Sequence, residues 1–546
     1  MQRYGVKTKK VKTNNHFHLY IKIFYAILSA VILKLTFPPY YLELLGFIAL
    51  IPLLFVIKNS QPKEAFLLGL IFGFTFFTTI LWWIIPTISH YGDIPVICSI
   101  AILVCLTFYL SLYPAIWAHI TSLWIKDKDI PSILNVINIS ALWVILEWLR
   151  GHILTGFPWA ILGCCLIKVP SLIQTASFLG MYWISFIVIA INCLFFIAIL
   201  YYNKKRCIKF TYYLVISVSI VACLWAVGRY LIKNCQKSDI NYPKLEVVAV
   251  QGNIAQDKKW NQKFQNNTFN KYRKLTISAL DNLKRIKQQN SQPVLIVWPE
   301  TAMPFFFQDP SNLRKQLLDL AKATHSLILF GAPSYQLNPT TIEKRINVSY
   351  FNSAFLVGPN GKVLGKYDKQ HLVPFGEYLP FGVLTSWARK LIGAIGAFRP
   401  GTRSTPLCWH NVKVGVLICF ESIFPHIAVN FVRNGANLLA VITDDAWFGK
   451  TGAPYEHADM AVFRAIETRR YVVRAANTGE SLIISPWGKR LETTKLFTSC
   501  WIAAPIRLRN DVTLYDVIEE NWLWPFLLLV LFNLVKSDIF KQIMRK

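Results

Sequence analysis

Charged residues are scarce in this 546-residue chain, and acidic residues are the scarcer kind. Asp, Glu, Lys and Arg make up 16% of the sequence, whereas soluble globular proteins carry about 25%. Only 29 acidic residues accompany 58 basic ones, so the net charge is +29, and 54% of the residues are hydrophobic. This composition argues against an ordinary cytosolic enzyme, a disordered chain and a disulfide scaffold. It favours an integral membrane protein whose basic loops lie near anionic lipid.

Long apolar runs support this interpretation, because a helix needs about 20 apolar residues to cross a bilayer. Such runs lie at about 18–36, 41–57, 65–88, 94–125, 131–150, 172–202, 211–232 and 521–537. They predict a polytopic α-helical membrane bundle of about eight spans, with a seven-span region at 1–233 and a C-terminal transmembrane helix at 521–537. The alternative for the first run is a signal peptide. Lys34 and Pro38-Pro39 follow it in place of a small-residue cleavage site, so we expect a retained helix.

The loops between these runs differ in positive charge. Lysines follow the second, fourth, sixth and eighth runs, as at Lys58, Lys126, Lys204 and Lys536, whereas the turns after the first and third runs carry no Lys or Arg. Because Lys and Arg are retained on the cytoplasmic side, both termini are expected there. Residues 244–509 then lie on the opposite face, which in a bacterial inner membrane is the periplasm. No basic-aromatic recognition motif stands out, so we expect no nucleic-acid partner.

Residues 244–509 have the composition of a water-soluble α/β domain in which strand and helix patterns alternate. Helical patterns occur near 259–289, 311–323 and 456–475. Strand-like runs are Leu245–Val250, Val294–Trp298, Leu327–Gly331, Phe355–Val357, Val412–Ile418, Leu438–Ile442 and Ser481–Ser485. No Gly-rich phosphate loop and no Cys-x-x-Cys pair occurs, and we expect neither a cofactor nor a metal.

Cys419 is the first candidate for chemistry, because an apolar strand runs directly into it and Phe420 and Glu421 follow. One alternative is a buried core cysteine, which is the common environment of a free Cys. Another is a disulfide with Cys408, which an oxidising compartment allows. That bond would bridge a presumed strand along its own length, so a free Cys419 fits the pattern better.

Two further segments supply an acid and an amine. Glu300 follows the strand at 294–298, although an exposed loop carboxylate is the alternative. Lys369 and Glu377 lie in a loop that is rich in Pro, Phe and Gly, unlike a solvated charge run. A Cys nucleophile needs a base to form its thiolate, which Glu300 supplies, and an ammonium stabilises both the thiolate and a tetrahedral oxyanion. The combination is suited to acyl transfer through a thioester.

These three motifs, in this order, resemble those of the carbon–nitrogen hydrolase (nitrilase) superfamily. The flanking sequences resemble the apolipoprotein N-acyltransferase family in particular, and this likeness extends over essentially the whole chain. The segments that carry it are Val250-Gln-Gly-Asn253, Trp298-Pro-Glu-Thr301, His371-Leu-Val-Pro-Phe-Gly-Glu-Tyr378, Asp445-Ala-Trp-Phe-Gly449 and the membrane segment 147–159. The resemblance implies an αββα sandwich domain with a catalytic triad of Glu300, Lys369 and Cys419.

The resemblance also implies a reaction. An acyl chain moves from a phospholipid, typically phosphatidylethanolamine, to the enzyme Cys and then to the α-amine of a diacylglyceryl-Cys apolipoprotein, the final step of lipoprotein maturation. Glu377 and Glu421 would support the triad. Trp260 and Trp447 would lie on mobile arms of the cleft. Relatives often have Tyr where this chain has Phe420, so a hydroxyl is absent there, although the backbone N–H remains available to an oxyanion.

Three other groups leave alternatives open. Residues 381–398, which include Trp387, form either a core-packing helix or a lid that dips into the headgroup zone. Glu147 and Arg150 are three residues apart on a predicted helix and can pair, which favours a structural role over the alternative of a proton relay. The arginines of the predicted helix at 456–475 either form salt bridges or bind phosphate; they are Arg464, Arg469, Arg470 and Arg474.

Two other functions compete with the acyltransferase. A membrane-tethered nitrilase-type amidase would let water resolve the thioester, but one span would suffice as its anchor. A transporter with an accessory domain is the third interpretation, and the spans show no clear pair of broken helices in its favour.

Overall fold

A computed structural model describes residues 11–92, 94–126, 128–286, 294–339, 346–378 and 398–536. Apolar helices build the N-terminal part, as expected where lipid leaves the backbone no other hydrogen-bond partner. They are α1 (Val11–Lys34), α2 (Ile51–Lys58), α3 (Pro62–Leu81), α4 (Ile84–Tyr91), α5 (Val96–Ile125), α6 (Ile133–Arg150), α7 (Ala176–Asn203) and α8 (Cys207–Asp239).

Within the described residues, 6 helices are long and apolar enough to cross a membrane. They are α3, α5, α6, α7, α8 and the C-terminal helical segment Leu514–Lys536. The run at 41–57 differs from the prediction, because it forms a 3-10 turn (Glu43–Phe47) followed by α2. An eight-residue helix rises only about 12 Å, which is short of the bilayer core of about 30 Å. The helical membrane part is therefore confirmed, and the second predicted span is not one helix.

The soluble domain contains two six-stranded sheets, in the order β12-β1-β2-β3-β4-β5 and β11-β10-β9-β8-β7-β6. The first sheet holds β1 (Lys244–Gln251), β2 (Leu295–Val297), β3 (Leu327–Pro339), β4 (Ile346–Val357), β5 (Val363–Asp368) and β12 (Cys500–Arg507). The second holds β6 (Leu407–Trp409), β7 (Val412–Ile418), β8 (Leu438–Thr443), β9 (Val472–Ala476), β10 (Leu482–Ile484) and β11 (Arg490–Thr493).

Helices cover the outer face of each sheet. On the first sheet they are α10 (Gln262–Ile286) and α11 (Asn312–Thr324), and on the second they are α12 (Pro425–Arg433) and α13 (Ala453–Thr468). The remaining helices are α9 (Gln256–Lys259), α14 (Leu514–Ile518) and α15 (Leu523–Lys536). Strand β1 shows the layering, because alternate side chains of a strand point to opposite faces. Val247 and Ala249 lie in the core shared with the second sheet, whereas Val248 and Val250 pack with Phe269 of α10. The αββα sandwich is thus confirmed.

The domain contacts the membrane part through α13 and is connected to it through its first and last strands. Helix α13, outside the second sheet, packs against α7, where Glu467 Oε1 accepts a hydrogen bond from the Met181 backbone N–H at 3.0 Å. The first and last strands of the domain, β1 and β12, are antiparallel neighbours whose register runs from Lys244↔Arg507 to Gln251↔Cys500. The chain therefore enters and leaves the domain side by side, between α8 and α14.

Every predicted strand run overlaps an observed strand, but five strands were not predicted: β5, β6, β9, β11 and β12. The helix predicted at 456–475 is too long. Helix α13 ends at Thr468 because Arg469 takes a left-handed backbone conformation with φ +51°, which closes the helix. The following residues turn into β9, whose Val472 and Val473 favour a strand. Arg474 accordingly lies on a strand.

Candidate active site

Cys419 follows directly after β7 and begins a 3-10 turn, Cys419–Ile423. Its backbone is left-handed, with φ +54°, an uncommon conformation for a residue that has a Cβ atom. The thiol is half-buried, and Cys419 and Cys408 are both free. The sequence prediction of a free cysteine at a strand end is therefore confirmed, whereas the disulfide alternative is wrong.

Glu300 and Lys369 come from the first sheet and meet in the buried interior. Glu300 lies just beyond β2, and its Oε1 is 3.8 Å from Lys369 Nζ. Its Oε2 accepts a hydrogen bond from the Asp444 backbone N–H at 2.9 Å, which links it to the end of β8. Lys369 follows β5 directly, and its Nζ lies 2.8 Å from Glu377 Oε2. The three acidic and basic groups predicted from separate motifs thus form one cluster.

Asn352 of β4 joins the two carboxylates and was not predicted. Its side-chain amide donates to Glu300 Oε1 at 2.8 Å and to Glu377 Oε1 at 2.7 Å. Its backbone carbonyl accepts from the Lys369 N–H at 2.9 Å. The residue is buried, so both acids and the lysine are held by one side chain and its backbone. A single Asn in a strand pattern carries no signal that would single it out.

The charges of this cluster act on one another and on the thiol. Burial raises the pKa of Glu300, and the Lys369 ammonium opposes that rise. Burial alone would lower the pKa of Lys369, but the Glu377 and Glu300 carboxylates outweigh it and raise that pKa. The pKa of Cys419 lies well above its usual range, first because of burial and then because of Glu300, while Lys369 lowers it. Since the charges of Glu300 and Lys369 both act on the thiol, the three groups share one electrostatic environment.

Glu421 fixes the loop that carries Lys369 to the strand that carries Cys419. Its Oε1 accepts from the Tyr367 hydroxyl at 2.8 Å and from the Gln370 backbone N–H at 2.6 Å. Its Oε2 accepts from the Ile418 backbone N–H at 2.7 Å. Burial raises the pKa of Glu421 to about 7. Because it is fully buried and bonded to both segments, its role here is to position the site.

Phe420 lies in an aromatic group that reaches into the membrane part. Its ring centroid is 5.3 Å from that of Phe424, 5.8 Å from His371 and 6.4 Å from Phe157. Phe157 belongs to the segment between α6 and α7. The ring is buried, so it packs in this position without a hydroxyl.

The segment that carries Phe157 is held by the two charged residues at the end of α6. Glu147 Oε1 accepts from the Leu162 backbone N–H at 2.8 Å, and Arg150 Nη1 donates to the Trp159 carbonyl at 2.6 Å. Both bonds run to backbone groups and shape this loop beside the candidate active site, which agrees with the predicted structural role of Glu147 and Arg150.

The two tryptophan candidates that the structure describes are exposed near the site. Trp260 is 50% exposed at the end of α9, and Trp447 is 40% exposed in the 3-10 turn Asp445–Phe448. Trp447 meets Tyr91 of α4, with ring centroids 5.4 Å apart. The third candidate, Trp387, and the rest of the 381–397 segment lie outside the described residues.

Lys259, another residue that the sequence did not single out, anchors both tryptophan segments. Its buried Nζ donates to the Glu300 carbonyl at 3.0 Å and pairs with the Asp444 carboxylate. Lys259 directly precedes Trp260, and Asp444 lies three residues before Trp447. The two exposed rings are therefore tied to the backbone of Glu300.

For four arginines the sequence allowed either salt bridges or phosphate binding. In the structure all four are buried and have partners within the protein. Arg464 pairs with Glu467 at 2.6 Å and Arg474 with Asp445 at 2.7 Å. Arg469 donates to Gln174 Oε1 at 2.7 Å, and Arg470 donates to the Ala436 carbonyl at 2.8 Å. Within the described residues, no group of three or more His, Cys, Asp or Glu side chains is placed to hold a metal ion. The reactive groups that the structure brings together at the site are a thiol, carboxylates and an ammonium.

Known protein families match both the membrane part and the α/β domain of the chain. The family profile "Apolipoprotein N-acyltransferase N-terminal domain" matches residues 29–194, and "Carbon-nitrogen hydrolase" matches residues 248–509. Apolipoprotein N-acyltransferase from Geobacter metallireducens is 36% identical over 91% of this chain and 92% of its own length. The Coxiella burnetii protein of the same name is 31% identical over 85% of this chain and 89% of its own.

Solved structures of nitrilase-superfamily proteins align with about half of the chain. Nit3 of Saccharomyces cerevisiae, a nitrilase-superfamily protein, is 19% identical and aligns with 48% of this chain and 90% of its own, with a TM-score of 0.35. The sequence matches span the membrane part as well as the hydrolase domain. With a relative that is 36% identical over almost its whole length, the chain belongs to the apolipoprotein N-acyltransferase family.

Proposed function

We propose that Glu300, Lys369 and Cys419 are the catalytic residues of this acyltransferase, which acts on lipid and lipoprotein substrates. The observation that carries the proposal is that buried Glu300 and Lys369 lie 3.8 Å apart and that both of their charges act on the half-buried Cys419 thiol. A base whose pKa is raised toward neutrality is suited to taking up a proton and returning it.

In the first half-reaction, Glu300 takes the thiol proton as Cys419 Sγ attacks the ester carbonyl of a phospholipid. The carbonyl oxygen carries the negative charge of the tetrahedral intermediate, and the Lys369 ammonium stabilises it together with a backbone N–H such as that of Phe420. The bond to the glycerol oxygen then breaks. That oxygen takes the proton from Glu300, so a lysophospholipid leaves and the acyl chain remains on Cys419 as a thioester.

In the second half-reaction, the α-amine of a diacylglyceryl-Cys apolipoprotein attacks the thioester in its neutral form. An amide bond forms, the C–S bond breaks, and Glu300 passes the amine proton to the departing thiolate. The enzyme is thereby regenerated. The ammonium form of the amine must lose one further proton before it attacks, so this half-reaction releases a proton to solvent.

Glu377, Glu421 and Asn352 support these steps without touching the substrate. The Glu377 carboxylate keeps Lys369 charged through its 2.8 Å contact. Asn352 directs the Glu300 carboxylate, and Glu421 holds the Lys369 loop against β7. We assign Trp260 and Trp447 to substrate contact because their rings are exposed at the site and anchored through Lys259 and Asp444.

We further propose phosphatidylethanolamine as the donor and the bacterial inner membrane as the location. Both termini would be cytoplasmic, with residues 1–233 as the membrane region, 244–509 as the periplasmic catalytic domain and 521–537 as the last transmembrane helix. The alternation of lysine-rich and lysine-free loops supports this orientation. Adding a cysteine-directed, membrane-impermeant label to intact cells tests it, since exposed Cys408 should react from the periplasmic side.

The decisive experiment is mass analysis of the Cys419 peptide after purified protein is mixed with phosphatidylethanolamine vesicles. An added acyl mass on this peptide supports the proposal, and its removal by a diacylated lipopeptide supports the second step. C419A should not be acylated, whereas the matched control C408A should behave as the native protein. Equal acylation of C419A, or no acyl mass on native protein with any phospholipid, would show the mechanism to be wrong. Repeating the measurement with phosphatidylglycerol vesicles tests whether acylation of Cys419 depends on the headgroup of the donor phospholipid.

A further inference from the structure

A histidine that the mechanism does not use touches the backbone of the nucleophile. His457 lies on α13, where it is 1% exposed. Its Nε2 is 3.1 Å from the Cys419 carbonyl oxygen and 3.0 Å from Ser422 Oγ. Its Nδ1 is 2.9 Å from Asp445 Oδ1 and 3.2 Å from Arg474 Nη2. The ring therefore connects the nucleophile to a buried ion pair.

The partners of the ring decide where its proton lies. A carbonyl oxygen only accepts hydrogen bonds, so Nε2 must carry a proton to bond with the Cys419 oxygen. The Ser422 hydroxyl donates to the same oxygen at 2.9 Å and leaves its lone pairs to the ring. Nδ1 faces the Asp445 carboxylate, which likewise only accepts, so both ring nitrogens face an oxygen acceptor. In this arrangement the contact with Cys419 is an N–H donation by His457.

Asp445 holds the ring in this orientation. Burial would raise the pKa of this carboxyl, but Arg474 and then His457 outweigh it and keep the pKa well below its usual range. Its Oδ1 also accepts from Thr443 Oγ1 at 2.9 Å, and its Oδ2 lies 2.7 Å from Arg474 Nη2. Thr443 ends β8 and Arg474 lies on β9, so two neighbouring strands fix the carboxylate.

Cys419 needs such support because its backbone is left-handed. A non-glycine residue at φ +54° is disfavoured sterically, and such conformations persist where surrounding contacts hold them. The carbonyl of Cys419 receives two donors, Ser422 Oγ and His457 Nε2, and both are buried. The direction of this peptide group also sets the direction of the Phe420 N–H, since the two belong to one planar unit.

We propose that His457 is a positioning residue for the nucleophile. By donating its Nε2–H to the Cys419 carbonyl, it holds the strained turn so that the thiol stays beside Glu300 and Lys369. The role depends on the N–H and not on charge. It also links the nucleophile to Asp445, which begins the turn that carries Trp447. The inference rests on the proposed role of Cys419.

The test compares three replacements of His457 by the rate at which iodoacetamide alkylates Cys419, read from the mass of its peptide. In H457Q the amide reaches the position of Nε2 and keeps a donor. In H457N the shorter amide keeps the Asp445 contact but does not reach Cys419, and H457M has similar size without a donor. V462A is the matched control, because it removes buried volume from the same helix away from Cys419.

We expect H457Q to react within about threefold of native protein, and H457N and H457M to react about tenfold more slowly, as for the loss of one buried hydrogen bond. V462A should unfold at lower temperature with an unchanged alkylation rate. Native rates in H457N and H457M, or a loss in H457Q as large as in H457M, would overturn the proposal. If H457M does not fold, the comparison of H457N with H457Q decides alone. Alkylation needs no phospholipid, so it tests His457 even where acylation of Cys419 fails.

Discussion

Removing the side chain of Asn352 should shift the pH dependence of thioester formation. Glu300 has to be ionised to accept the thiol proton, so the rate falls as the pH drops through the pKa of Glu300. Burial already raises that pKa, and the hydrogen bond from Asn352 lowers it. N352A removes this opposing bond, so the pKa of Glu300 must rise further and the acid limb of the rate profile must move to higher pH.

The size of the shift follows from the contact itself. The Asn352 amide donates to Glu300 Oε1 at 2.8 Å in a buried site, and hydrogen bonds to charged groups contribute about 1.5–3 kcal/mol. One pKa unit corresponds to about 1.4 kcal/mol, so the limb should move up by about one to two units. On the acid side of the limb the rate should fall about tenfold to a hundredfold. The backbone carbonyl that accepts from Lys369 is unchanged by this substitution.

The assay is the single-turnover rate of acyl-Cys419 formation, measured across the acid and neutral range in vesicles of one composition. N338A is a matched control, because this Asn lies on the adjacent strand β3 and donates to Ser349 Oγ at 2.8 Å instead. Its profile should overlay that of the native protein. An acid limb that stays in place in N352A, or moves to lower pH, would refute the reasoning that Asn352 stabilises the ionised Glu300.

Three other substitutions have distinct expected outcomes. E377Q removes a charge that raises the pKa of Glu300, so the acid limb should move to lower pH, opposite to N352A, in the same assay. E421Q replaces a carboxylate that accepts from four donors with an amide that cannot accept from all of them. The free energy of unfolding, measured by denaturant titration, should therefore fall by about 1–3 kcal/mol. An unchanged value would contradict the positioning role of Glu421. K259M leaves the buried Asp444 carboxylate without its ammonium, so limited proteolysis should cut near Trp260 sooner than in native protein.

The sequence predicted the parts of the fold that depend on local pattern. Long apolar runs gave the membrane helices, and apolar strands that end in Glu300 and Cys419 gave the reactive positions of both sheets. Strand β7 matches its predicted range, because Val412–Ile418 is apolar and buried apart from the exposed Lys413. Strands β6 and β11, by contrast, are three and four residues long. Such short segments carry no clear strand pattern in the sequence, and pairing with the neighbouring strands stabilises them.

The supporting residues of the site were beyond prediction for a different reason. Asn352, Lys259 and His457 are ordinary polar residues in sequence, and each acquires its role from partners that lie far away along the chain. His457 contacts a carbonyl 38 residues earlier, and Asn352 contacts a carboxylate 52 residues earlier. The assembly of the first sheet brings Asn352 to Glu300, and the packing of α13 on the second sheet brings His457 to Cys419. The motifs predicted the candidate reacting groups, whereas the packing supplies their orientation.

The antiparallel pairing of β1 with β12 has a kinetic consequence. Because both connections to the membrane helices leave from neighbouring strands, the catalytic domain is tethered at two adjacent points and cannot diffuse away from its lipid substrate. Encounter with the donor is then a search in two dimensions. Reaction rates should follow the mole fraction of donor lipid in the surface, and diluting vesicles in buffer at constant lipid composition should leave acylation of Cys419 unchanged.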